Sequence, residues 1–158
     1  MIDVIELQPS DESIDYIGGV LSTPYIAANA CEGQQSASAM LKVFDRFRVG
    51  FYKFFVPAYD GQPMGMVWGW MYCETLFLVH LAYFREFWGK RAHEAGVEVE
   101  DAIRGSTGCK GLIGFIPVTN RASHLHSLKQ GFEFKEMCSG LFIKDGKDID
   151  CWKMVKEY

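Results

Sequence analysis

The stretch of sequence best suited to chemistry is a short polar segment that joins a strand to a helix. Residues 116–119 end an apolar run, and Asn120 follows them at the start of a helical pattern. An asparagine there can accept hydrogen bonds from the free amides of the first helical turn. Gly131 suits the left-handed residue after a helix end, and Phe132 then begins another strand. Because anions bind at helix N-termini, this segment predicts a ligand-binding site near Asn120.

Composition limits the class of protein. A chain of 158 residues with 49% hydrophobic and 15% aromatic residues predicts one domain over residues 1–158 and excludes disorder. The net charge of −4 is small, and no basic stripe favours nucleic acid. The apolar run at residues 64–84 contains Glu74 and His80, so it predicts two strands and no membrane span. Since the first residues lack a signal-peptide pattern, we expect a cytoplasmic protein.

Cysteine and histidine spacing predicts no metal site. No two cysteines form a C-x-x-C pair, so a metal knuckle or a redox dithiol is not expected, and the thiols should be reduced. His124 and His126 lie two positions apart on a predicted helix and therefore point in different directions. The cysteines are Cys31, Cys73, Cys109, Cys138 and Cys151.

The order of elements predicts an α+β domain. Leu125 and Leu128 predict the buried stripe of the last helix, Gly105 predicts a helix end, and Asp60-Gly61 predicts a hairpin turn. The predicted elements are a strand at 1–7, a helix that starts at 9–12 and ends at 23–24, a loop at 25–35, a helix at 38–47, strands at 49–59, 63–71 and 75–84, a helix at 89–104, a strand at 110–118, the helix after Asn120, and strands at 132–143 and 149–156.

The end of the chain is similar to the last third of the GNAT N-acetyltransferase superfamily, and the predicted element order is the GNAT order. In that superfamily an Asn-x-x-Ser helix running into Gly-Phe lies beside the acyl-coenzyme A thioester arm. The resemblance implies an α+β, GNAT-like fold: a mixed, mostly antiparallel sheet with a splayed central parallel strand pair and about four helices. The residues that carry it, in matching spacing, are Asn120, Ala122, Ser123, Leu128, Gly131 and Phe132.

The resemblance also implies a site for acetyl-CoA between the strands at residues 75–84 and 110–118. The end of the first strand would offer main-chain donors to the pantetheine and to the reacting carbonyl oxygen, on which charge develops as an amine attacks. Asn120 and Ser123 would position the pantetheine arm. By position, the main-chain donors are Leu81, Ala82 and Tyr83.

By the same resemblance, the pyrophosphate lies on the N-terminus of the next helix, where family members have a glycine-rich turn. Residues 88–90 and 94–95 resemble that turn, and Gly89, Lys90 and Arg91 are the predicted phosphate-binding residues. Arg91 stands where the family has glycine, and one residue is missing. The side chain of Arg91 either crowds the phosphates or pairs with them through its guanidinium.

Acid–base groups follow the family pattern less closely. Relatives often use a carboxylate on the first splayed strand, or a water relay, as the base. Glu74 near the start of that strand and His80 further along are the candidates here, and each also fits a structural role. Many relatives use a tyrosine seven residues after the asparagine as the acid. Ser127 takes that position, which leaves His126 as the candidate acid or as part of an exposed helix face.

Two functions remain open at this point. The chain could be an acetyl-CoA-dependent N-acetyltransferase that moves acetyl to a primary amine of a small molecule or a protein by direct attack. Alternatively, it could be a GNAT-fold binding or assembly protein without catalysis, such as a bacteriophage head or internal virion protein. Arg91, Ser127 and the aromatic content suit the second reading. A homodimer through the terminal hairpin, or a larger assembly, is expected by analogy only.

A group of aromatic residues on the middle strands has two interpretations as well. The group either fills the core or lines a groove for the acyl acceptor. Its members are Tyr52, Tyr59, Trp68, Trp70 and Tyr72.

Overall fold

The chain folds around one mixed sheet, and the computed structural model describes residues 1–30 and 37–158. The strands are β1 (Ile2–Glu6), β2 (Lys53–Tyr59), β3 (Gln62–Pro63), β4 (Gly65–Met71), β5 (Leu76–Tyr83), β6 (Gly111–Pro117), β7 (Glu133–Lys144) and β8 (Lys147–Glu157). The helices are α1 (Asp11–Leu21), α2 (Pro24–Ala30), α3 (Ala37–Arg48), α4 (Lys90–Thr107) and α5 (Arg121–Lys129), and a 3-10 turn covers Arg85–Phe87.

One parallel pair lies in the middle of an otherwise antiparallel sheet. The strand order is β1-β2-β4-β5-β6-β8-β7, and β3 pairs with β2. Strands β5 and β6 are parallel and pair from Leu76 opposite Gly111 to Leu78 opposite Ile113. Beyond these three pairs the two strands separate. The predicted mixed sheet with a splayed central parallel pair is therefore confirmed, with five helices in the described residues where about four were expected.

Helices cover the two faces of the sheet. Helix α4 packs on one face, where Ala95, Val99 and Ile103 meet apolar side chains of β2, β5 and β6. Helices α1 to α3 cover the other face, where Ile17 and Phe47 meet side chains of β2, β4 and β5. Side chains of one strand alternate between the two faces, so each central strand contributes to both layers.

Polar side chains start two of the helices at the expected places. Ser10 accepts the amide of Ser13 at the start of α1, 3.1 Å away. Asn120 accepts the amide of Ser123 at the start of α5 through its side-chain oxygen, 3.2 Å away. Each bond satisfies an amide that has no partner within its helix. Gly131 has φ +86°, as predicted for the residue after the end of α5.

The predicted loop at residues 25–35 is wrong over its first part. Helix α2 runs from Pro24 to Ala30, and Ile26 is buried in the core. Proline fits the first helical position because its missing amide would have had no partner there. Pro24 is therefore the first residue of α2, and it also lies shortly after the end of α1. Residues 31–36, including Cys31, lie outside the described part of the chain.

The predicted end of α4 at Gly105 is also wrong. The helix continues to Thr107, and Gly108 ends it in the left-handed conformation, with φ +69° and its amide donating to the Arg104 carbonyl. Gly105 is exposed within the helix, where glycine lowers stability without breaking the helix. The predicted stop, Gly105, lies three residues before Gly108, the glycine that ends the helix.

Two predicted strands are shorter than expected. Strand β2 begins at Lys53, because residues 49–52 form the turn after α3. The predicted strand at 63–71 is interrupted at Met64, whose amide donates to the Pro57 carbonyl. Gly65 then begins β4 with φ +124°, which is a conformation that favours glycine.

A pair of glycine substitutions tests the packing of β4 on β5. A Cβ at Gly69 would collide with the Leu78 carbonyl oxygen, whereas a Cβ at Gly105 would meet open space. We expect Gly69→Ala to destabilise the protein by about 1–3 kcal/mol through overpacking. We expect Gly105→Ala to stabilise it by roughly 0.5–1 kcal/mol, since alanine is the better helix former. Urea unfolding measures both, and a neutral Gly69→Ala variant would contradict the close approach of the two strands.

Candidate active site

A cavity opens where β5 and β6 separate. Its volume is about 750 Å³, within the usual range for small-molecule sites. Residues from both faces of the sheet line it, so it passes through the gap between the strands. Strand β5 contributes His80 to the face covered by α1 to α3 and Leu81 to the face covered by α4. The cavity therefore joins two half-sites with different surroundings.

Helix α5 presents a polar side to the cavity. Ser123, His126, Ser127 and Gln130 line it. Leu125 and Leu128, which were predicted to be the buried stripe, are 47% and 45% exposed, so that prediction is wrong. The polar side of α5 faces the sheet, because the space beneath the helix is a cavity rather than an apolar core.

A polar contact fixes α5 against α4 beside the cavity. Gln130 Nε2 donates to the His93 carbonyl oxygen, 2.7 Å away. A Cβ at Gly96 would collide with the Gln130 amide group, so the close approach depends on that glycine. Gln130 Oε1 and His93 Nδ1 are buried and have no hydrogen-bond partner within residues 1–30 and 37–158. Buried polar atoms without a partner are rare and suggest a missing ligand or water.

Sequence reasoning missed Gln130, His93 and Gly96. Gly96 was the available signal, because a glycine inside a long helix often marks a place where another group approaches closely. The sequence does not show that Gln130 is the group that approaches Gly96. The two residues lie 34 positions apart, one within α4 and the other at the end of α5.

The opposite half of the cavity is aromatic. Trp68, Trp70 and Tyr52 line it on the face covered by α1 to α3, and Tyr72 and Phe115 continue the wall. Neighbouring ring centroids are 5.1 Å apart for Tyr52 and Trp70, and 6.1 Å apart for Tyr72 and Phe115. Four of the five aromatic residues singled out in the sequence thus reach the cavity. The fifth, Tyr59, packs instead against the α4 layer.

His80 lies within this aromatic wall. Its ring stacks on Trp68 with centroids 5.2 Å apart and lies against Trp70 at 5.5 Å. Burial lowers the pKa of His80 to about 4, so the imidazole is neutral at pH 7. A neutral imidazole can accept a proton.

His126 lies on the other half of the cavity. Its ring meets the edge of Tyr83, with centroids 5.9 Å apart. Burial first, and then the nearby His93 and Lys129, lower the pKa of His126 to about 4. The side chain is neutral at pH 7 and carries no extra proton to give away.

The end of β5 directs main-chain groups toward the gap. Phe84 donates its amide to the Met64 carbonyl on the β4 side. Because main-chain groups alternate along an antiparallel strand, the amides of Leu81 and Tyr83 point away from β4 and that of Ala82 points toward it. The Tyr83 carbonyl oxygen already accepts Trp88 Nε1 at 2.9 Å, which is consistent with this alternation.

The start of α4 lies next to the end of β5. Gly89 precedes the helix with φ +85°, and no side chain caps the first turn. Lys90 and Arg91 are exposed, and the Arg91 guanidinium lies over the Tyr59 ring, 4.4 Å from its centroid. The phosphate-binding role of these three adjacent residues stays a prediction. Arg91 is held against β2 by its contact with Tyr59.

Glu74, the other candidate base, lies away from the cavity, and Ser127, at the position where many relatives have a tyrosine, is already bonded. Glu74 is exposed in the turn before β5 and does not line the cavity, which agrees with the structural role that the sequence also allowed for it. Ser127 is buried in the lining, where its hydroxyl donates to the His124 carbonyl at 2.8 Å.

The described residues contain no cluster of three or more potential metal ligands. Among them, Cys73, Cys109 and Cys138 are free thiols. No helix within the described ranges is long and apolar enough to cross a bilayer.

No family model and no curated protein matches the sequence. Solved structures match the fold. Ribosomal-protein-S5-alanine acetyltransferase from Vibrio fischeri is 13% identical, with 99% of this chain and 92% of that chain covered and a TM-score of 0.75. N-acetyltransferase from Staphylococcus aureus Mu50 is 11% identical, with 99% and 97% covered and a TM-score of 0.76.

A third similar structure contains ligands. Spermidine N-acetyltransferase from Vibrio cholerae, in complex with CoA and spermine, is 13% identical to this chain. The match covers 98% of this chain and 95% of that chain, with a TM-score of 0.75. At these identities the likeness concerns the fold, and it extends over the whole chain. The protein therefore has the fold of the GNAT N-acetyltransferases.

Proposed function

We propose that the protein is an acetyl-CoA-dependent N-acetyltransferase that transfers acetyl to a primary amine by direct attack in a ternary complex. The observation that carries the proposal is the cavity between the separated strands β5 and β6, which connects the two faces of the sheet. Such a passage allows a thioester to approach from one face and an amine from the other. The ligand-bearing neighbour with this fold holds CoA and an amine.

The half-site beside α4 and α5 is the part suited to acetyl-CoA. Asn120 and Ser123 would position the pantetheine arm, whose amides need polar partners. Gln130, with its unpartnered buried Oε1, adds an acceptor on the same wall. The cavity is large enough for an extended thioester arm. The residues present thus fit the co-substrate.

The pyrophosphate would lie at the start of α4. The first amides of this helix have no partner within the helix, and Gly89, Lys90 and Arg91 leave them open to solvent. The positive end of an 18-residue helix favours an anion at that place. Because the Arg91 guanidinium lies on Tyr59, we infer that it adds positive charge nearby without covering these amides.

Main-chain amides at the end of β5 would stabilise the reacting carbonyl. Leu81 and Tyr83 direct their amides toward the gap, while Ala82 directs its amide toward β4 and its side chain packs in the core. As the amine nitrogen attacks the thioester carbon, negative charge develops on the carbonyl oxygen, and a fixed amide donor lowers the energy of that state. The CoA thiolate is then the leaving group.

His80 is the group we propose as the base. It lines the acceptor half of the cavity and is neutral at pH 7, so it can take a proton from the attacking amine. Glu74 is the less suitable candidate because it lies in an exposed turn outside the lining. His126 lacks a proton to donate at pH 7, so we assign it no acid role in the free protein.

Three observations support the alternative, a GNAT-fold binding or assembly protein. Arg91 stands where family members have glycine, and Ser127 stands where many of them have the tyrosine that acts as general acid. An exposed terminal strand also carries apolar side chains, including Phe134 and Ile143, that a partner could cover. This reading predicts that acetyl-CoA does not bind, and the first experiment below separates the two.

We expect acetyl-CoA to stabilise the protein against heat. At 100 times its dissociation constant a ligand adds about 2.7 kcal/mol, which corresponds to a rise in Tm of roughly 5–10 °C for a chain of this size. Differential scanning fluorimetry with acetyl-CoA measures the shift, and acetate at equal concentration is the control. No shift at millimolar acetyl-CoA would end the enzyme proposal and favour the binding-protein alternative.

In the same assay, Arg91→Ala should weaken the binding of acetyl-CoA about two- to fivefold, which is the usual value of an exposed charge pair. Tighter binding would mean that the arginine obstructs the phosphates.

Replacement of His80 by glutamine should slow the chemical step. Loss of a general base costs about 10²–10⁴-fold in rate, so we expect kcat to fall at least about 100-fold while the dissociation constant for acetyl-CoA stays near that of the wild type. Thiol release from acetyl-CoA measures kcat, and calorimetry measures binding. Glu74→Gln is the matched comparison and should retain most of the activity. If Glu74→Gln loses activity and His80→Gln does not, the base is Glu74.

Stability should decrease in mild acid because His80 and His126 are held neutral. Their pKa values in the folded chain are about 4, against about 6.5 in the unfolded chain. Between these values the unfolded chain binds protons that the folded chain does not, so the free energy of unfolding falls as pH is lowered from about 6.5 toward 4. Urea unfolding at pH 7 and pH 5 measures the change, which His80→Gln should reduce. Equal stability at the two pH values, with native circular dichroism at both, would contradict the burial of these imidazoles.

A further inference from the structure

The aromatic half of the cavity keeps ring surface available for a ligand. Tyr72 is 50% exposed, and Tyr52, Trp70 and Phe115 are partly exposed at the cavity lining. Trp68, by contrast, is 8% exposed and stacks on Phe54 as part of the core. The wall thus has a packed base and an accessible rim. The rim consists of Tyr52, Trp70, Tyr72 and Phe115, and we call it the aromatic rim.

Charges around the aromatic rim disfavour a polycation. The Arg46 guanidinium lies over the Tyr52 ring, 5.7 Å from its centroid, and donates to the Tyr52 hydroxyl at 3.0 Å. Lys153 also lines the cavity and donates to Glu136 at 2.6 Å. A second or third ammonium group near Tyr52 would therefore meet the positive charge of Arg46, whereas the pair of Lys153 and Glu136 is close to neutral.

Carboxylates that could attract such a polycation are already paired. Within the described part of the chain, the lining carboxylates are Glu136 and Glu100. Glu136 accepts from Lys153, and Glu100 accepts from Lys156 at 2.5 Å. A paired carboxylate gives little further attraction to a distant ammonium. Apolar and stacking contacts are the interactions that remain for recognition on this side.

We propose that the acyl acceptor is a primary amine that carries an aromatic ring, which lies against the aromatic rim while its nitrogen reaches His80. This inference rests on the proposed function and names the class of acceptor for the same site. Rings stack or meet edge to face with centroids 4.5–7 Å apart, and the rim residues line the cavity that opens between β5 and β6. In the reaction the amine nitrogen forms a bond to the acetyl carbon, the carbon–sulfur bond of the thioester breaks, and the amine proton goes to His80.

Kinetics with three simple amines test the proposal. The substrates are 2-phenylethylamine, n-butylamine, which lacks the ring, and spermidine, which is a polycation. We expect kcat/KM for 2-phenylethylamine to exceed kcat/KM for either of the other amines by about tenfold. This is the effect of one aromatic contact at the upper end of its usual range. Equal values, or a preference for spermidine, would overturn the aromatic acceptor and leave the acetyltransferase proposal standing.

A matched pair of tyrosine variants locates the effect. Tyr72 is 50% exposed at the aromatic rim, and Tyr158 is 44% exposed on the α4 side of the sheet, where it does not line the cavity. Because both side chains are largely exposed, neither Tyr72→Ala nor Tyr158→Ala should prevent folding. We expect Tyr72→Ala to raise KM for 2-phenylethylamine about three- to tenfold, with kcat and the KM for n-butylamine nearly unchanged. Tyr158→Ala should leave all three values as in the wild type.

A binding measurement tests the aromatic rim even if no acetylation is observed. Calorimetric titration of 2-phenylethylamine into the protein, with and without CoA, should show binding that Tyr72→Ala weakens and Tyr158→Ala does not. Binding without any acetyl-CoA shift would support the aromatic rim as a ligand site while overturning the enzyme proposal. Absence of amine binding, together with a normal acetyl-CoA shift, would overturn the aromatic acceptor alone.

Discussion

Pairing between β5 and β6 stops after Leu78 and Ile113, and much of the molecule is organised around that gap. Strands that separate leave main-chain groups without sheet partners, and buried groups of this kind must be satisfied elsewhere. The Tyr83 carbonyl illustrates one solution, since Trp88 Nε1 donates to it at 2.9 Å and the Tyr25 hydroxyl at 3.4 Å. Main-chain groups further inside the gap face the cavity, where a ligand can bond to them. The break in the sheet thus creates both the space and the donors of a binding site.

The two halves of the cavity differ because different helices cover them. Helix α5 directs polar side chains inward on one side, and the partner-free Gln130 Oε1 shows that its hydrogen-bonding capacity is not used up by the protein. On the other side β4 and β6 direct aromatic rings inward. A polar amide-bearing arm suits the first half, and a flat apolar group suits the second. His80 lies in the aromatic half, on the strand β5 that borders both halves.

Sequence patterns predicted the order of elements and the start of α5 because these depend on local chemistry. Asn120 caps its helix and Gly131 takes positive φ for reasons that concern only neighbouring residues. The face of α5 was predicted wrongly because the periodicity argument assumes that apolar side chains point inward. Over a cavity this assumption fails, and Leu125 faces solvent. The pKa of His80 was equally out of reach, since it depends on tryptophans contributed by another strand.

The arginine at position 91 shows how a departure from a family pattern can be accommodated. Glycine in that turn permits close approach of an anion to bare amides, and a long side chain would ordinarily block it. Here the guanidinium lies over the ring of Tyr59 on β2, 4.4 Å from its centroid. A cation over an aromatic face is stabilised by roughly 0.5–1 kcal/mol at exposed sites, enough to favour that position over a free one. The position of the Arg91 guanidinium is thus set by a residue of β2 that lies far from it in the sequence.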